Sequence, residues 1–318
     1  PITGGYTSDI IERIVDECRF DASETLTAIR SDSRYVEKLF DLPEIPKGDT
    51  RLRPGGTVII TGGVGGLGIC IAEKLFDSTK AKLVLTSRWT PPPREEWSQY
   101  ATQDNKVGRA IQRISRLVEC GAEVLIVKAD VSNRDDLLRV DAEAKARFGA
   151  VHGVVHAAGI LDDGPVLQKT EESANNVFMA KVGSAYLLEE IYGDQHLDIL
   201  VHFSSQASTQ PNKGQVDYSA ANAVLDRLAR RRSQTSGGLA CAIGWGAWRD
   251  AGMAWSYQGS ELALTSLFDQ TINSQPLHDS IRNNSHPLLE KQAEYPDGSV
   301  LFYGTMTVDS HWVCTEHV

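Results

Sequence analysis

The chain has 318 residues, of which 41% are hydrophobic and 23% are charged, so it can bury a sizeable core and is not a disordered chain. Acidic residues outnumber lysine and arginine by 42 to 32, and the net charge of -10 argues against nucleic acid as the main partner. With no apolar run of about eighteen residues and five scattered cysteines lacking a CxxC pair, we expect a cytoplasmic protein without membrane span or metal site.

The N-terminal stretch, residues 1–52, contains an amphipathic run at 9–18 and an alternating run at 34–40 that predicts an exposed strand. Residues 43–54 are rich in proline and predict a linker. Because the chain starts at Pro1 without a methionine, we expect it to be a piece of a longer protein.

Residues 53–272 alternate short β-branched runs with helical patterns. The β-branched runs lie near 57–61, 82–86, 123–127, 153–156, 199–203 and 241–243. Such alternation is typical of parallel βαβ units, so the sequence predicts an α/β fold with a doubly wound parallel sheet of the Rossmann type. The last stretch, 273–318, is polar and ends in a strand-like run at 300–308.

A glycine-rich turn joins the first strand to a helical pattern at 69–76. Glycine permits a tight turn and lets the backbone approach a pyrophosphate, which would lie at the positive end of the helix. A turn without any ligand is the alternative interpretation. The turn consists of Gly62, Gly63, Val64, Gly65, Gly66, Leu67 and Gly68.

Ser87 and Arg88 follow the second strand. An arginine where an NAD-preferring fold would have an acidic residue suits the 2′-phosphate of NADP, although a solvated loop charge is the alternative. The ends of the next two strands, where ligands of such sheets bind, carry Asp130, Val131, Ala157, Ala158 and Gly159.

Four polar residues are the candidate catalytic group: Lys181, Ser205, Tyr218 and Asn222. Tyr218 and Asn222 are four positions apart and therefore share one helix face. An ammonium, a hydroxyl, a phenol and a carboxamide at one sheet edge would form a proton-donating site for a carbonyl. Each residue also has a structural interpretation, as a surface cation, a helix cap, a core phenol or a backbone tie, but their joint occurrence favours catalysis.

The sequence resembles the ketoreductase domains of modular and iterative type I polyketide synthases, a branch of the short-chain dehydrogenase/reductase superfamily, over residues 30–260. In ordinary short-chain dehydrogenases a lysine follows the tyrosine by four positions; here Asn222 stands there and Lys181 lies upstream, an exchange known from polyketide ketoreductases. The matching motifs are TGGVGGLG (61–68), LTSR (85–88), ADVS (129–132), HAAGILDDG (156–164), FMAKVGSAYLL (178–188), FSSQAS (203–208), YSAANAVLD (218–226) and GWGAWRDAGM (244–253).

The resemblance implies reduction of a β-ketoacyl thioester by NADPH, with the substrate tethered through phosphopantetheine to an acyl carrier protein. It implies that Tyr218 donates the proton, that Ser205 contacts the substrate oxygen, and that Lys181 and Asn222 support them. Lys181 and Tyr218 would also contact the cofactor. A catalytically silent nucleotide-binding domain and a free-standing short-chain dehydrogenase remain the alternatives.

Leu161, Asp162 and Asp163 resemble the LDD loop of B-type ketoreductases, which the family associates with a D-configured hydroxyl. Gln210 stands about where A-type members have a marker tryptophan. A polar turn that caps the next helix is the alternative for this loop.

Met253 belongs to a run at 248–268 that resembles a substrate lid. The tail, at 285–289 and 302–318, resembles the start of a double-hotdog dehydratase without its full catalytic pair, which implies a neighbouring dehydratase domain. Residues 1–52 resemble the end of the structural subdomain that precedes such reductases.

Overall fold

The computed structural model divides the chain into two compact units, residues 1–49 and residues 50–318. None of the described helices is long and apolar enough to cross a membrane. The structure describes residues 8–19, 27–30, 33–36, 51–89, 92–103, 105–193, 195–235 and 238–248, and the backbone of 282–286, 289–294 and 300–303.

The first unit contains one helix and one hairpin. The helix α1 (Ser8–Arg19) includes the amphipathic run, and strands β1 (Thr27–Arg30) and β2 (Ser33–Val36) pair antiparallel. An ion pair between Arg34 and Glu17, with Nη2 and Oε1 2.6 Å apart, joins the hairpin to α1. Strand β2 covers the first part of the strand predicted at 34–40, and 37–40 lie outside the described residues.

A parallel sheet of six strands is the centre of the second unit, which confirms the predicted α/β fold. The spatial order is β5-β4-β3-β6-β7-β8, so successive strands are added on one side of β3 first and on its other side from β6 onward. Ligands of such sheets bind at the carboxyl ends of the strands beside this switch point, between β3 and β6. The strands are β3 (Thr57–Thr61), β4 (Lys82–Ser87), β5 (Val124–Lys128), β6 (Gly153–His156), β7 (Ile199–Ser205) and β8 (Leu239–Trp245).

Helices cover both faces of the sheet. Ile59 and Ile60 alternate along β3, so Ile60 packs in one buried cluster with Leu75 and Ile114, whereas Ile59 packs in another with Leu188. The helices are α2 (Gly66–Thr79), α3 (Trp97–Tyr100), α4 (Lys106–Glu119), α5 (Arg134–Phe148), α6 (Glu171–Phe178), α7 (Ser184–Tyr192) and α8 (Val216–Ser233).

The C-terminal part contributes a small antiparallel sheet of three strands in the order β11-β10-β9. These strands are β9 (Arg282–His286), β10 (Leu289–Glu294) and β11 (Val300–Tyr303), and β11 begins where the strand at 300–308 is predicted. Most of the segment with the dehydratase resemblance lies outside the described residues, as do Met253 and nearly all of the segment with the lid resemblance.

Candidate active site

The glycine loop between β3 and α2 turns sharply before the helix begins. Gly62 has a φ of +66°, a left-handed conformation that favours glycine. A Cβ atom at Gly68 would lie 2.4 Å from the carbonyl oxygen of Gly62, so no side chain fits there. Gly65 caps α2 without a side-chain hydrogen bond, and the first turn contains no acidic residue. The helix therefore presents uncapped backbone amides that suit a phosphate group.

A surface pocket of about 430 Å³ lies at the carboxyl ends of β4 and β5, on the same edge of the sheet. Within it, Arg139 pairs with Asp136 at 2.7 Å, whereas Arg88 forms no ion pair in the described part of the chain. The pocket thus offers one unpaired guanidinium to an anion. Its lining residues are Arg88, Lys128, Ala129, Asp130, Asp136 and Arg139.

Ser87 and Asp130 shape the loops at this edge. The Ser87 hydroxyl accepts a hydrogen bond from the Trp89 amide at 3.1 Å, and the Asp130 carboxylate accepts one from the Ser132 amide at 2.9 Å. Val131 is buried in an apolar cluster. These contacts fix the backbone beside Arg88.

The segment 157–159 lies between the glycine loop and the catalytic candidates. A Cβ atom at Gly62 would approach Ala158 Cα to 3.0 Å, and one at Gly159 would approach Lys181 Cε to 3.0 Å. The small residues therefore allow this segment to pack tightly on both sides, as their size predicts.

The four catalytic candidates converge at the carboxyl end of β7. Ser205 ends β7, Lys181 precedes α7, and Tyr218 and Asn222 lie in the first turns of α8. The Lys181 Nζ atom lies 5.2 Å from the centre of the Tyr218 ring, and the Ser205 side chain lies close enough to the Tyr218 phenol to influence its pKa. Asn222 Nδ2 donates to the Tyr218 carbonyl at 2.8 Å, while its Oδ1 is buried without a partner in the described chain.

Burial and neighbouring groups set the ionisation of Tyr218 and Lys181. Burial raises the pKa of the Tyr218 phenol, and the neighbouring polar side chains of Ser205 and Asn222 oppose the rise. Burial lowers the pKa of Lys181 to about 8, against the stabilising charge of Asp226. Because Lys181 is only 3% exposed, its ammonium acts on Tyr218 with little screening by water.

Two features of the lysine site have no signal in the sequence. Lys181 lies in a five-residue π-helical turn, Met179–Gly183, which interrupts the run from α6 to α7. A π turn inserts an extra residue into the helical register and thereby changes the direction of the following side chains. The helical pattern of the sequence gives no signal for it.

The second feature is a buried hydrogen-bond chain through His156, at the end of β6. Its Nε2 lies 3.0 Å from the Lys181 carbonyl and its Nδ1 lies 2.7 Å from the Thr61 hydroxyl. A carbonyl only accepts, so Nε2 carries the proton and Nδ1 accepts one from Thr61. Burial lowers the pKa of His156 to about 3, which keeps the ring neutral. The histidine of the HAAG motif therefore links the glycine loop to the lysine turn.

The loop with the LDD resemblance lies near the start of α8. Leu161 is half-buried, while Asp162 and Asp163 are exposed. Gln215 Nε2, next to α8, donates to the Asp163 carboxylate at 2.8 Å. Gln210 is also exposed, and its backbone amide bonds to the Gln206 carbonyl at 2.8 Å.

Within the described residues, no group of histidine, cysteine and acidic side chains could hold a metal ion.

The sequence model of the KR domain family matches residues 56–250. The chain is 36% identical over 222 residues to the 6-methylsalicylic acid synthase of Penicillium expansum, covering 69% of this chain and 12% of that protein. It is 38% identical over 223 residues to a phenolphthiocerol/phthiocerol polyketide synthase protein of Mycobacterium tuberculosis, again 69% of this chain and 12% of that protein. The chain thus spans about an eighth of the length of these multidomain relatives.

Solved structures show the same similarity. A ketoreductase domain from the bacillaene assembly line superposes with a TM-score of 0.67 at 26% identity, covering 85% of this chain and 61% of that chain. An A1-type ketoreductase superposes with a TM-score of 0.66 at 30% identity, covering 81% of this chain and 50% of that chain. The chain therefore belongs to the KR domain family, the nicotinamide-dependent ketoreductase domains of polyketide synthases.

Proposed function

We propose that this chain uses NADPH to reduce a β-ketoacyl thioester to the β-hydroxyacyl thioester while an acyl carrier protein holds the substrate through phosphopantetheine. The observation that carries the proposal is the convergence of Tyr218, Ser205 and buried Lys181 at the sheet edge that also carries the glycine loop. An ordinary core tyrosine would not need a buried ammonium 5.2 Å from its ring.

The residues at the sheet edge fit a dinucleotide. The uncapped start of α2 suits the pyrophosphate, and Arg88 suits the 2′-phosphate that distinguishes NADPH from NADH. We place the nicotinamide beside Lys181 and Tyr218. When bound, NADPH supplies the hydride that reduces the keto carbon.

The chain's own residues would stabilise the negative charge that develops on the substrate oxygen. Reduction builds negative charge on that oxygen, so hydroxyl donors aimed at it beforehand stabilise the transition state. Tyr218 would donate its proton, and Ser205 would donate a hydrogen bond to the same oxygen. The Lys181 ammonium would stabilise the tyrosinate that remains, and Asn222 would hold the start of α8 through its bond to the Tyr218 carbonyl.

Replacing Arg88 with alanine should raise the KM for NADPH by about tenfold to a hundredfold and leave the KM for NADH nearly unchanged. A charged hydrogen bond to a phosphate is worth about 1.5 to 3 kcal/mol, and NADH lacks the 2′-phosphate. Steady-state rates with each cofactor measure the effect. Arg134→Ala is the control, because Arg134 is exposed and pairs with Glu190 on a different helix. An unchanged preference between the cofactors in Arg88→Ala would exclude Arg88 from the phosphate site.

We also propose B-type stereochemistry, with a D-configured hydroxyl. Support comes from Leu161, Asp162 and Asp163 and from the absence of tryptophan at Gln210. We further propose a dehydratase as a neighbouring domain, because the tail at 285–289 and 302–318 resembles the start of one.

The experiment that tests the function compares two substrates. NADPH consumption should be rapid with a β-ketoacyl thioester of a pantetheine analogue, and NADP should not be reduced with simple secondary alcohols. NADPH binding without turnover would instead indicate a silent domain, and oxidation of simple alcohols would indicate a free-standing dehydrogenase. Chiral analysis of the product tests the stereochemistry, since an L-configured alcohol contradicts the B-type proposal.

A further inference from the structure

A largely buried lysine side chain contacts the loop at 161–164. Lys169 lies between the 3-10 turn Val166–Gln168 and α6, and its side chain is only 9% exposed. Its Nζ atom lies 2.6 Å from Asp217 Oδ2, and the Asp217 side chain is 3% exposed. Lys169 Nζ also donates to the backbone carbonyl of Asp162 and lies 3.5 Å from the Ser173 hydroxyl. One ammonium thus joins the loop, α6 and α8.

Asp217 carries this connection to the catalytic tyrosine. Its second oxygen, Oδ1, accepts a hydrogen bond from the Tyr218 amide at 2.9 Å. Asp217 therefore binds the Lys169 ammonium with one oxygen and the first turn of α8 with the other. The position of Tyr218 and the position of the loop depend on the same carboxylate.

Two weaker contacts support the same junction. The Gly164 amide donates to the Gly214 carbonyl at 2.9 Å, and Gln215 donates to the exposed Asp163 carboxylate at 2.8 Å. Both lie nearer the surface, where water competes for such bonds. The Lys169 ion pair, with side chains 9% and 3% exposed, is screened less by water than these contacts.

We propose that Lys169 and Asp217 are positioning residues that determine which face of the keto group is reduced. They hold the loop at 161–164 at a fixed place relative to Tyr218, and in the proposed function the keto group would lie between this loop and the Tyr218 hydroxyl. This inference rests on the proposed function. A buried ion pair adds little net stability over apolar residues of similar size, so geometric specificity is the better explanation for it.

The chain offers a matched control. Arg232 pairs with Glu189 at 3.1 Å, and their side chains are 5% and 14% exposed. This second buried pair also joins α8 to its neighbours, since Arg232 donates to the Tyr192 carbonyl at 3.0 Å. It lies about 22 Å from Asp217 along the helix, so it does not touch the loop.

The experiment uses the whole chain in four forms besides wild type: Lys169→Met, Asp217→Asn, the double variant with both changes, and Arg232→Met. The double variant leaves no unpaired buried charge, so its folding should be less disturbed than that of either single variant. The ratio of the alcohol that wild type favours to its enantiomer is measured with a β-ketoacyl thioester. Hydrogen exchange at the amides of 161–164 gives a second readout that needs no turnover.

We expect the ratio of the two alcohols to fall by about tenfold or more in all three variants of the pair, with NADPH affinity retained. Amide exchange at 161–164 should accelerate by about tenfold in the same variants, and Arg232→Met should change neither quantity. An unchanged ratio in the double variant would overturn the proposal, as would an equal fall in Arg232→Met.

The two proposals fail in different ways. If wild type does not reduce the thioester, the proposed function fails, and the exchange measurement alone decides whether Lys169 holds the loop. If wild type gives the L-configured alcohol, only the B-type assignment fails, because the change of ratio in the variants is measured against wild type.

Discussion

Replacing Tyr218 with phenylalanine should lower kcat/KM for the β-ketoacyl thioester by about 10³-fold, which corresponds to about 4 kcal/mol of transition-state stabilisation. Phenylalanine keeps the ring but removes the hydroxyl, so no proton donor of matching position remains. The ring still packs beside Lys181, and the Tyr218 backbone keeps its bond with Asn222. We therefore expect a folded protein with normal NADPH affinity and almost no reduction.

Stopped-flow rates and NADPH fluorescence titration measure the two quantities separately. Tyr186→Phe is the control, because Tyr186 is 51% exposed on α7 and belongs to none of the proposed contacts. Normal turnover by Tyr218→Phe would remove the phenol from the mechanism. A loss of NADPH affinity equal to the loss of rate would instead make Tyr218 a binding residue.

Replacing Lys181 with methionine should lower kcat by about 10²-fold. Lys181 Nζ lies 5.2 Å from the centre of the Tyr218 ring. At an effective dielectric constant near 20, a unit charge at about that distance stabilises the tyrosinate by roughly 3 kcal/mol. Methionine fills a similar volume and carries no charge. It also loses the hydrogen bond that Lys181 Nζ donates to the Phe203 carbonyl at 3.0 Å. The defect should appear in kcat more than in the KM of the thioester, because the charge matters only as the proton leaves Tyr218.

The pH profile separates this effect from a structural one. The pKa of Lys181 is lowered to about 8, so the wild-type ammonium loses its proton as the pH rises through 8. The wild-type rate should therefore fall above about pH 8, while the pKa of Tyr218 is raised and the phenol keeps its proton. Lys181→Met has no charge to lose, and its rate should stay flat across that range. A parallel fall in both proteins would assign the titration to another group.

As the pH rises above about 8, the free energy of unfolding of wild type should increase while its reduction rate falls. The folded chain releases the Lys181 proton near pH 8, whereas the unfolded chain keeps it up to the ordinary lysine pKa of 10.5. Between these values the unfolded state binds more protons, so the free energy of unfolding of wild type rises with pH, by up to about 3 kcal/mol. Denaturant unfolding at several pH values should show this rise in wild type and not in Lys181→Met.

Local sequence patterns predicted the architecture because each pattern follows from short-range chemistry. The six β-branched runs are six parallel strands, and all six have ends within two residues of the prediction. In the glycine loop, Gly62 has a left-handed backbone conformation. The Gly62 carbonyl oxygen lies so close to Gly68 that no side chain fits at position 68. Tyr218 and Asn222 share a helix face because they are four positions apart.

Long-range contacts could not be predicted in this way. Lys169 and Asp217 are 48 positions apart, and neither residue belongs to a motif that marks it as buried. His156 lies at the end of a strand, where nothing in the sequence indicates that its ring bonds both to Thr61 and to the carbonyl of Lys181. The π turn at Met179–Gly183 likewise has no local signature.

The residue pattern by itself predicted the strands, the tight glycine turn and the four polar candidates, because spacing and backbone preference act over a few residues. Only the tertiary structure decided how those groups interact. The pKa of Lys181 follows from its complete burial against Gly159 and β7, and the place of the loop at 161–164 follows from a carboxylate on a distant helix. Both effects depend on desolvation and on distances of a few ångströms, which exist only once the separate segments have packed together.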